Sequence, residues 1–243
     1  MNLHLIICCR LTGEDGQLNQ SRVSKITLEN NGKHVVLPIL TVKGKRGKKV
    51  FVVAGHHGTE HTSIQIAHRL FDYLMDARDL RADVTIIPMA NVEGIRKELR
   101  GNPLDGKVIT TCYPGLAQGS SSERIAFEIW KRAKDSDCIL DLHSAGHARY
   151  VQHVIFHDKE TFPLLRTFGF DFAIRRSQGK EGKGGSLAAE ARRQGILAFS
   201  LELGGGHIVF LEDVDSGLRA ILSFLRSLGC LPSARRTRLT SLR

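Results

Sequence analysis

Three short stretches of the chain carry side chains suited to acid–base and metal chemistry, and each sits at the end of an apolar run. In "FVVAGHHGTEHTS", residues 51–63, the run stops at a glycine, two histidines follow, and Glu60 stands three residues after His57. "CILDLHS" ends beside His143, and "AFSLELGGG" places Glu202 just before a glycine run. Residues at i and i+3 share a face of a helical turn, so His57 and Glu60 make half of a ligand set. Two imidazoles, one carboxylate and a position left to water are what a catalytic zinc ion takes, and His143 supplies the second imidazole. Glu202 then suits the base that takes a proton from water whose pKa the metal has lowered to about 7. The glycines beside His57 let the backbone turn sharply and approach an ion closely. Any one stretch has a plainer explanation: a satisfied loop histidine, or a salt bridge for a carboxylate that would be costly unpaired in an apolar strand. Asp141 fits either a backbone pairing or a supporting contact behind the ligands, and His56, His61 and His147 read as bystanders near a polar site.

For these residues to meet, the elements carrying them must end at a common edge. "VSKITLEN" and "HVVLPILTV" flank Asn31-Gly32, a pair suited to a two-residue hairpin turn. "VFVVAG" reads as a buried strand, and Ile64, Ala67, Leu70, Phe71 and Leu74 then follow helical spacing. "VTIIP" is a second strand, followed by a polar stretch from Asn91 to Gly119 that is too long for a simple connector and reads as a functional loop region. Ser120 and Glu123 have the spacing of a capping box ahead of Ile125, Ile129 and Trp130. Strands "CILDL" and "HVIF", a helical piece around "ETFPLLRTF", a short strand "DFAIRR", and a helix "SLAAEARRQ" stopped by Gly195 come next. The strand "ILAFSLEL" and a last helix bearing Val214, Leu218, Ile221, Leu222 and Leu225 complete the series. This alternation implies an α/β fold with a mixed, mostly parallel central sheet and helices on both faces. Ligands of such sheets bind beyond the carboxyl ends of the strands, where the three stretches lie. With no repeat and no linker, one catalytic α/β domain with an N-terminal hairpin is expected over residues 1–232, and a basic tail over 233–243.

Composition narrows the classes. The 243 residues are 42% hydrophobic and 25% charged, as in ordinary globular proteins, and no apolar run is long enough to span a bilayer. "MNLHLIICCR" lacks a basic leader and a small-residue cleavage site, so no signal peptide is expected. Cys8, Cys9, Cys112, Cys138 and Cys230 are odd in number and form no C-x-x-C pair, which fits free thiols in a reducing, cytoplasmic setting. Nothing marks Cys112 as a nucleophile. The net charge of +10 collects in "KGKRGKK", residues 43–49, and in Arg235, Arg236, Arg238 and Arg243. No aromatics are interleaved to stack on bases, so a solvated turn and a frayed end are expected rather than a nucleic-acid surface. "GKEGKGG", residues 179–185, lacks the Gly-Lys-Ser/Thr ending of a phosphate cradle and reads as a surface loop placed to act as a lid.

Taken in order, these motifs resemble the succinylglutamate desuccinylase and aspartoacylase family, relatives of the zinc carboxypeptidases, over roughly residues 45–228. "GHHGTE" is similar to the family's Gly-x-His-Gly-x-Glu, which implies ligand roles for His57 and Glu60 rather than His56. "DLH" resembles the segment supplying the third ligand, His143, and "LELGG" the segment carrying the catalytic glutamate, Glu202. "PMANVEGIRKELRGNPLDG" is similar to the Asn-Pro-x-Gly region, whose arginine polarises the scissile carbonyl. Arg100 matches best, with Arg96 as the fallback. The resemblance implies a zinc carboxypeptidase-like fold with one zinc ion per chain.

The departures matter as much. Family members continue with Asp-x-Asn-Arg and an aromatic-Pro-Gly, whereas "DGKVITTCYPG" has Val108 at the Asp position and Thr110 and Thr111 in place of Asn-Arg. That arginine clamps a substrate carboxylate and that aspartate orients a zinc-binding histidine, roles a threonine fills less strongly. Thr110 and Thr111 therefore become the expected substrate-facing positions. Either Arg149, Arg175 or Arg176 compensates for the lost cation or the substrate differs. Longer members carry a C-terminal β domain, so a short form is expected. The reading is a zinc-dependent hydrolase of an amide bond, most like an N-acyl-amino-acid deacylase, acting on an acylated amino acid or a short peptide. A carboxypeptidase-type peptidase and a metal-binding homologue without catalysis are the alternatives. Neither a membrane nor a nucleic acid is an expected partner.

Overall fold

The apolar run that stops at Ala54 becomes the middle of an eight-stranded sheet. The computed structural model describes residues 19–30, 33–45, 47–176 and 185–233. The Asn31-Gly32 turn, Cys8 and Cys9, Arg46, the loop from 179 to 184 and the basic tail from 234 onward lie outside the described residues. The strands are β1 (Gln20–Asn30), β2 (Lys33–Lys43), β3 (Lys48–Ala54), β4 (Ala82–Ile87), β5 (Cys138–His143), β6 (His153–Phe156), β7 (Phe172–Arg175) and β8 (Leu197–Glu202). The helices are α1 (His61–Asp76), α2 (Val92–Arg96), α3 (Ser121–Ala133), α4 (Phe162–Leu165), α5 (Leu187–Arg193) and α6 (Leu211–Ser227).

Across the sheet the order is β1-β2-β4-β3-β5-β8-β6-β7. The four central strands β4, β3, β5 and β8 run parallel, and the long β1–β2 pair is antiparallel. The chain leaves β3 for β4 on one side and returns to β5 on the other, so the crevice between β3 and β5 is a topological switch point. Val50 to Ala54 and all of β5 are buried, which explains why these strands read as continuous apolar runs without alternation.

Alternate residues of each central strand feed two cores. Val50, Val52, Leu140, Leu142, Phe199 and Leu201 face α1 and α6, whereas Phe51, Val53 and Ile139 face α3 and α5. The first core closes on an aromatic group in which Phe168 stacks on Phe224 at 4.4 Å and Phe199 meets Phe224 edge-on at 5.4 Å. Glu123 reaches back to the Ser120 N–H at 2.8 Å, the reciprocal contact expected of the capping box that starts α3. Gly195, at φ +71, ends the segment after α5. "ETFPLLRTF" is broken into two 3₁₀ turns around the four-residue α4. Among the described residues no helix is long and apolar enough to cross a membrane.

Candidate metal centre

Beyond Ala54 the chain turns at Gly55, with φ +66, and folds back so that His57 and Glu60 both meet His143 at the end of β5. A Cβ on Gly58 would lie 2.1 Å from the carbonyl carbon of Gly94, so only glycine lets this turn pack against α2. The Gly58 N–H donates to the Leu99 carbonyl at 3.0 Å, tying the turn to the loop that carries Arg100. Glu60 stands at the N-terminal boundary of α1.

Three buried side chains converge here. His57 Nδ1 is 2.6 Å from Glu60 Oε1, and His143 Nδ1 is 3.0 Å from Glu60 Oε2. One donor atom from each of His57, Glu60 and His143 falls within 4.8 Å of the others. A supporting chain continues behind them. His143 Nε2 is 3.2 Å from Asp141 Oδ2, Asp141 Oδ1 is 3.0 Å from His56 Nδ1 but off the hydrogen-bond axis, and His56 Nε2 meets Tyr113 Oη at 2.6 Å. On the other side Thr110 Oγ1 lies 3.3 Å from His57 Nε2. Arg100 sits at the mouth with its side chain 63% exposed and Nη1 3.6 Å from Glu60 Oε1. Glu202, at the end of β8, is the register partner of His143.

The charges explain what such a cluster accepts. Burial alone would push the Glu60 carboxyl up, but the His143 and His57 imidazoles outweigh it and hold it down to about 2. Asp141 is likewise held well below the usual carboxylate range, against its burial, by His143 and His56. Burial would lower His143, yet Asp141 and Glu60 raise it well above the ordinary histidine value. Burial dominates at His57 and lowers its pKa, favouring the neutral ring that a metal requires. Two buried carboxylates thus hold positive charge at the junction of two imidazoles, a donor set and a charge demand that fit a divalent cation. Glu202 has its pKa raised by burial, with Glu60 and Asp141 adding to this and His143 opposing it.

His57, Glu60, His143 and Arg100 are therefore brought together, with Glu202 on the neighbouring strand. Arg96 turns away to pair with Glu93 at 2.6 Å. Thr110 faces His57, whereas the Thr111 hydroxyl donates to its own loop at the Val108 carbonyl, 2.8 Å away. Arg149 is engaged by Asp213 and Glu212 and lies 4.5 Å over the Phe210 ring, and Arg175 Nε donates to the His157 carbonyl at 3.4 Å. His56, expected as a bystander, and Tyr113, which no motif singles out, extend the buried chain behind His143. The i, i+2 spacing of Asp141 and His143, which puts both on one strand face, is the sequence signal for a carboxylate behind His143.

Residues 46–228 match the succinylglutamate desuccinylase/aspartoacylase catalytic domain. An N-alpha-acetyl-L-2,4-diaminobutyric acid deacetylase from Halomonas elongata is 30% identical over 207 aligned positions, with 79% of this chain and 58% of that protein covered. The chain thus spans less than two thirds of that relative's length. A crystal structure of succinylglutamate desuccinylase/aspartoacylase from Rhodobacter sphaeroides superposes with a TM-score of 0.74 at 26% identity, covering 93% of this chain and 70% of that one. The product-bound ectoine utilization protein EutE (DoeB) from Ruegeria pomeroyi shares the fold at 19% identity, with a TM-score of 0.76 over 92% of this chain and 71% of that one. The mixed, mostly parallel sheet is the zinc carboxypeptidase-like fold of these proteins.

Proposed function

Because the chain belongs to the succinylglutamate desuccinylase/aspartoacylase family, we propose that it hydrolyses the amide bond of an N-acylated amino acid with the help of one zinc ion. The observation that carries this reading is the convergence of His57 Nδ1 and His143 Nδ1 on the two oxygens of one buried carboxylate, Glu60. These three residues would hold the ion, and Asp141 and Thr110 would fix the two rings from behind. When bound, zinc supplies Lewis acidity that polarises a carbonyl and lowers the pKa of water to about 7.

The remaining work falls to the chain's own side chains. Glu202 accepts a proton from the attacking water as the new C–O bond forms, then delivers it to the amine as the C–N bond breaks. Its raised pKa suits both directions of transfer. The Arg100 guanidinium, at the mouth beside Glu60, stabilises the charge that develops on the carbonyl oxygen. The products are a carboxylate and a free amine.

The deciding experiment measures metal content and turnover together. Purified protein is assayed against a panel of N-acylated amino acids, with N-acetyl-diaminobutyrate at its head, and against short peptides. Turnover of acylated amino acids, abolished by chelation and restored by zinc, is expected. Turnover of peptides alone would make it a carboxypeptidase-type enzyme. Stoichiometric zinc without turnover on either panel would mean that the substitutions at Val108, Thr110 and Thr111 have cost the chain its catalysis.

A further inference from the structure

We infer that the rim of this sheet edge carries a second divalent-cation site, built from His61, Glu98 and His207. One donor atom from each falls within 4.8 Å of the others. His147 borders the group, its Nδ1 3.0 Å from His207 Nε2. The rings of His147 and His207 lie 4.7 Å apart, and those of His61 and His207 6.0 Å. None of these residues belongs to the His57, Glu60 and His143 set.

The residues come from four separate places: His61 opens α1, Glu98 follows α2, His147 follows β5, and His207 follows the glycine run after β8. The glycines make the approach possible, since a Cβ on Gly206 would lie 1.5 Å from the Ala145 carbonyl oxygen. Ligands bound at about 2.0–2.1 Å in tetrahedral geometry sit about 3.3 Å from one another. The donor atoms of His61, Glu98 and His207 already lie within 4.8 Å of one another, and rotation of the exposed Glu98 side chain closes the gap to that spacing. Imidazoles with one carboxylate select zinc, nickel or copper over calcium and magnesium, which prefer oxygen donors throughout. Glu98 is two residues from Arg100, and His61 follows Glu60 directly. An ion held here therefore ties the Arg100 loop and the start of α1 to the glycine run, ordering the rim of the crevice.

The test is a zinc titration of chelator-stripped protein by calorimetry, with bound metal counted by mass spectrometry. The wild type is expected to bind two ions. His207→Ala and Glu98→Gln are each expected to weaken one of them by about tenfold or more, while His57→Ala loses the other. In copper(II)-loaded His57→Ala protein, the electron paramagnetic resonance spectrum is expected to show nitrogen couplings from at least two imidazoles, lost when His207→Ala is added. Wild-type stoichiometry and affinity in both His207→Ala and Glu98→Gln would overturn the inference. A single ion lost in His207→Ala but kept in His57→Ala would support this site while removing the one proposed for catalysis. The rim variants decide the matter without His57→Ala should that protein fail to fold.

Discussion

His143 and Glu202 are direct register partners on adjacent parallel strands, β5 and β8. Leu142 and Leu201 face the core under α1 and α6, so strand alternation turns His143 and Glu202 together to the opposite face. The separation between His143 and Glu202 is thus set by the sheet's own strand spacing. Replacing Glu202 with Gln preserves shape and register and removes only the ability to take and return a proton. Turnover of an acylated amino acid should fall by about 10²–10⁴-fold, with metal content and melting temperature unchanged. Retention of half the wild-type rate would mean that another group handles the proton.

Asp141 is fully enclosed between the two imidazoles of His143 and His56. Neutralising it leaves those rings without the charge that orients them, so Asp141→Asn should weaken zinc binding by about 10–100-fold. In the metal-free protein the same change breaks a buried charge pairing, for which about 3 kcal/mol is a typical cost. For a chain of this size that corresponds to a melting temperature lower by about 6–12 °C. Calorimetry of zinc binding and a thermal melt of the stripped variant check both halves. An unaltered zinc affinity would reduce Asp141 to a core polar group.

How far the sequence reveals this site depends on where each residue stands. His57, Glu60, His143 and Glu202 are legible because each interrupts or ends an apolar run at the carboxyl edge of a strand. Asp141 lies within such a run, where a local backbone pairing explains it equally well. His56 is hidden by its neighbour, since adjacent histidines offer no spacing to choose between them. Tyr113 reaches His56 from 57 positions away, and its own place is fixed by backbone pairing with Gly185, a contact that no local pattern announces. The contact of Thr110 with His57 likewise appears only when the long loop is folded. Among the elements, the helical piece "ETFPLLRTF" is the least regular, because Pro163 and a four-residue α4 leave too few bonds to propagate a helix.

Gly58 lies between two of the metal-centre residues and against the backbone of Gly94. A methyl group there would sit 2.3 Å from the Gly94 carbonyl oxygen, and backbone on both sides leaves nothing soft to move. Gly58→Ala should therefore cost about 1–3 kcal/mol through overpacking and displace His57 relative to Glu60. The expected outcome is a lower denaturation midpoint together with a zinc content well below that of the wild type. A variant that melts and binds zinc like the parent would show that the turn and α2 are free to separate.

Asp105 supplies a pH dependence away from the metal centre. Its carboxylate accepts the Ser122 N–H at 2.7 Å, the Ser122 hydroxyl at 2.8 Å and the Lys107 N–H at 3.1 Å, at the start of α3. Partial burial acts to raise its pKa, but the Ser122 donors outweigh this and leave it below the ordinary aspartate value. A carboxyl whose folded pKa is depressed stabilises the native state above its unfolded pKa of about 3.9 and loses that contribution as pH falls through the folded value. At pH 7 Asp105→Ala should therefore cost about 0.5–2 kcal/mol, the range for losing a helix-capping side chain. Thermal melts of both proteins from pH 7 down to pH 3 should show the gap narrowing only at the acid end, where the wild-type carboxylate takes up its proton. A gap that stays constant across the range would mean that the side chain's shape, and not its charge, holds the start of the helix.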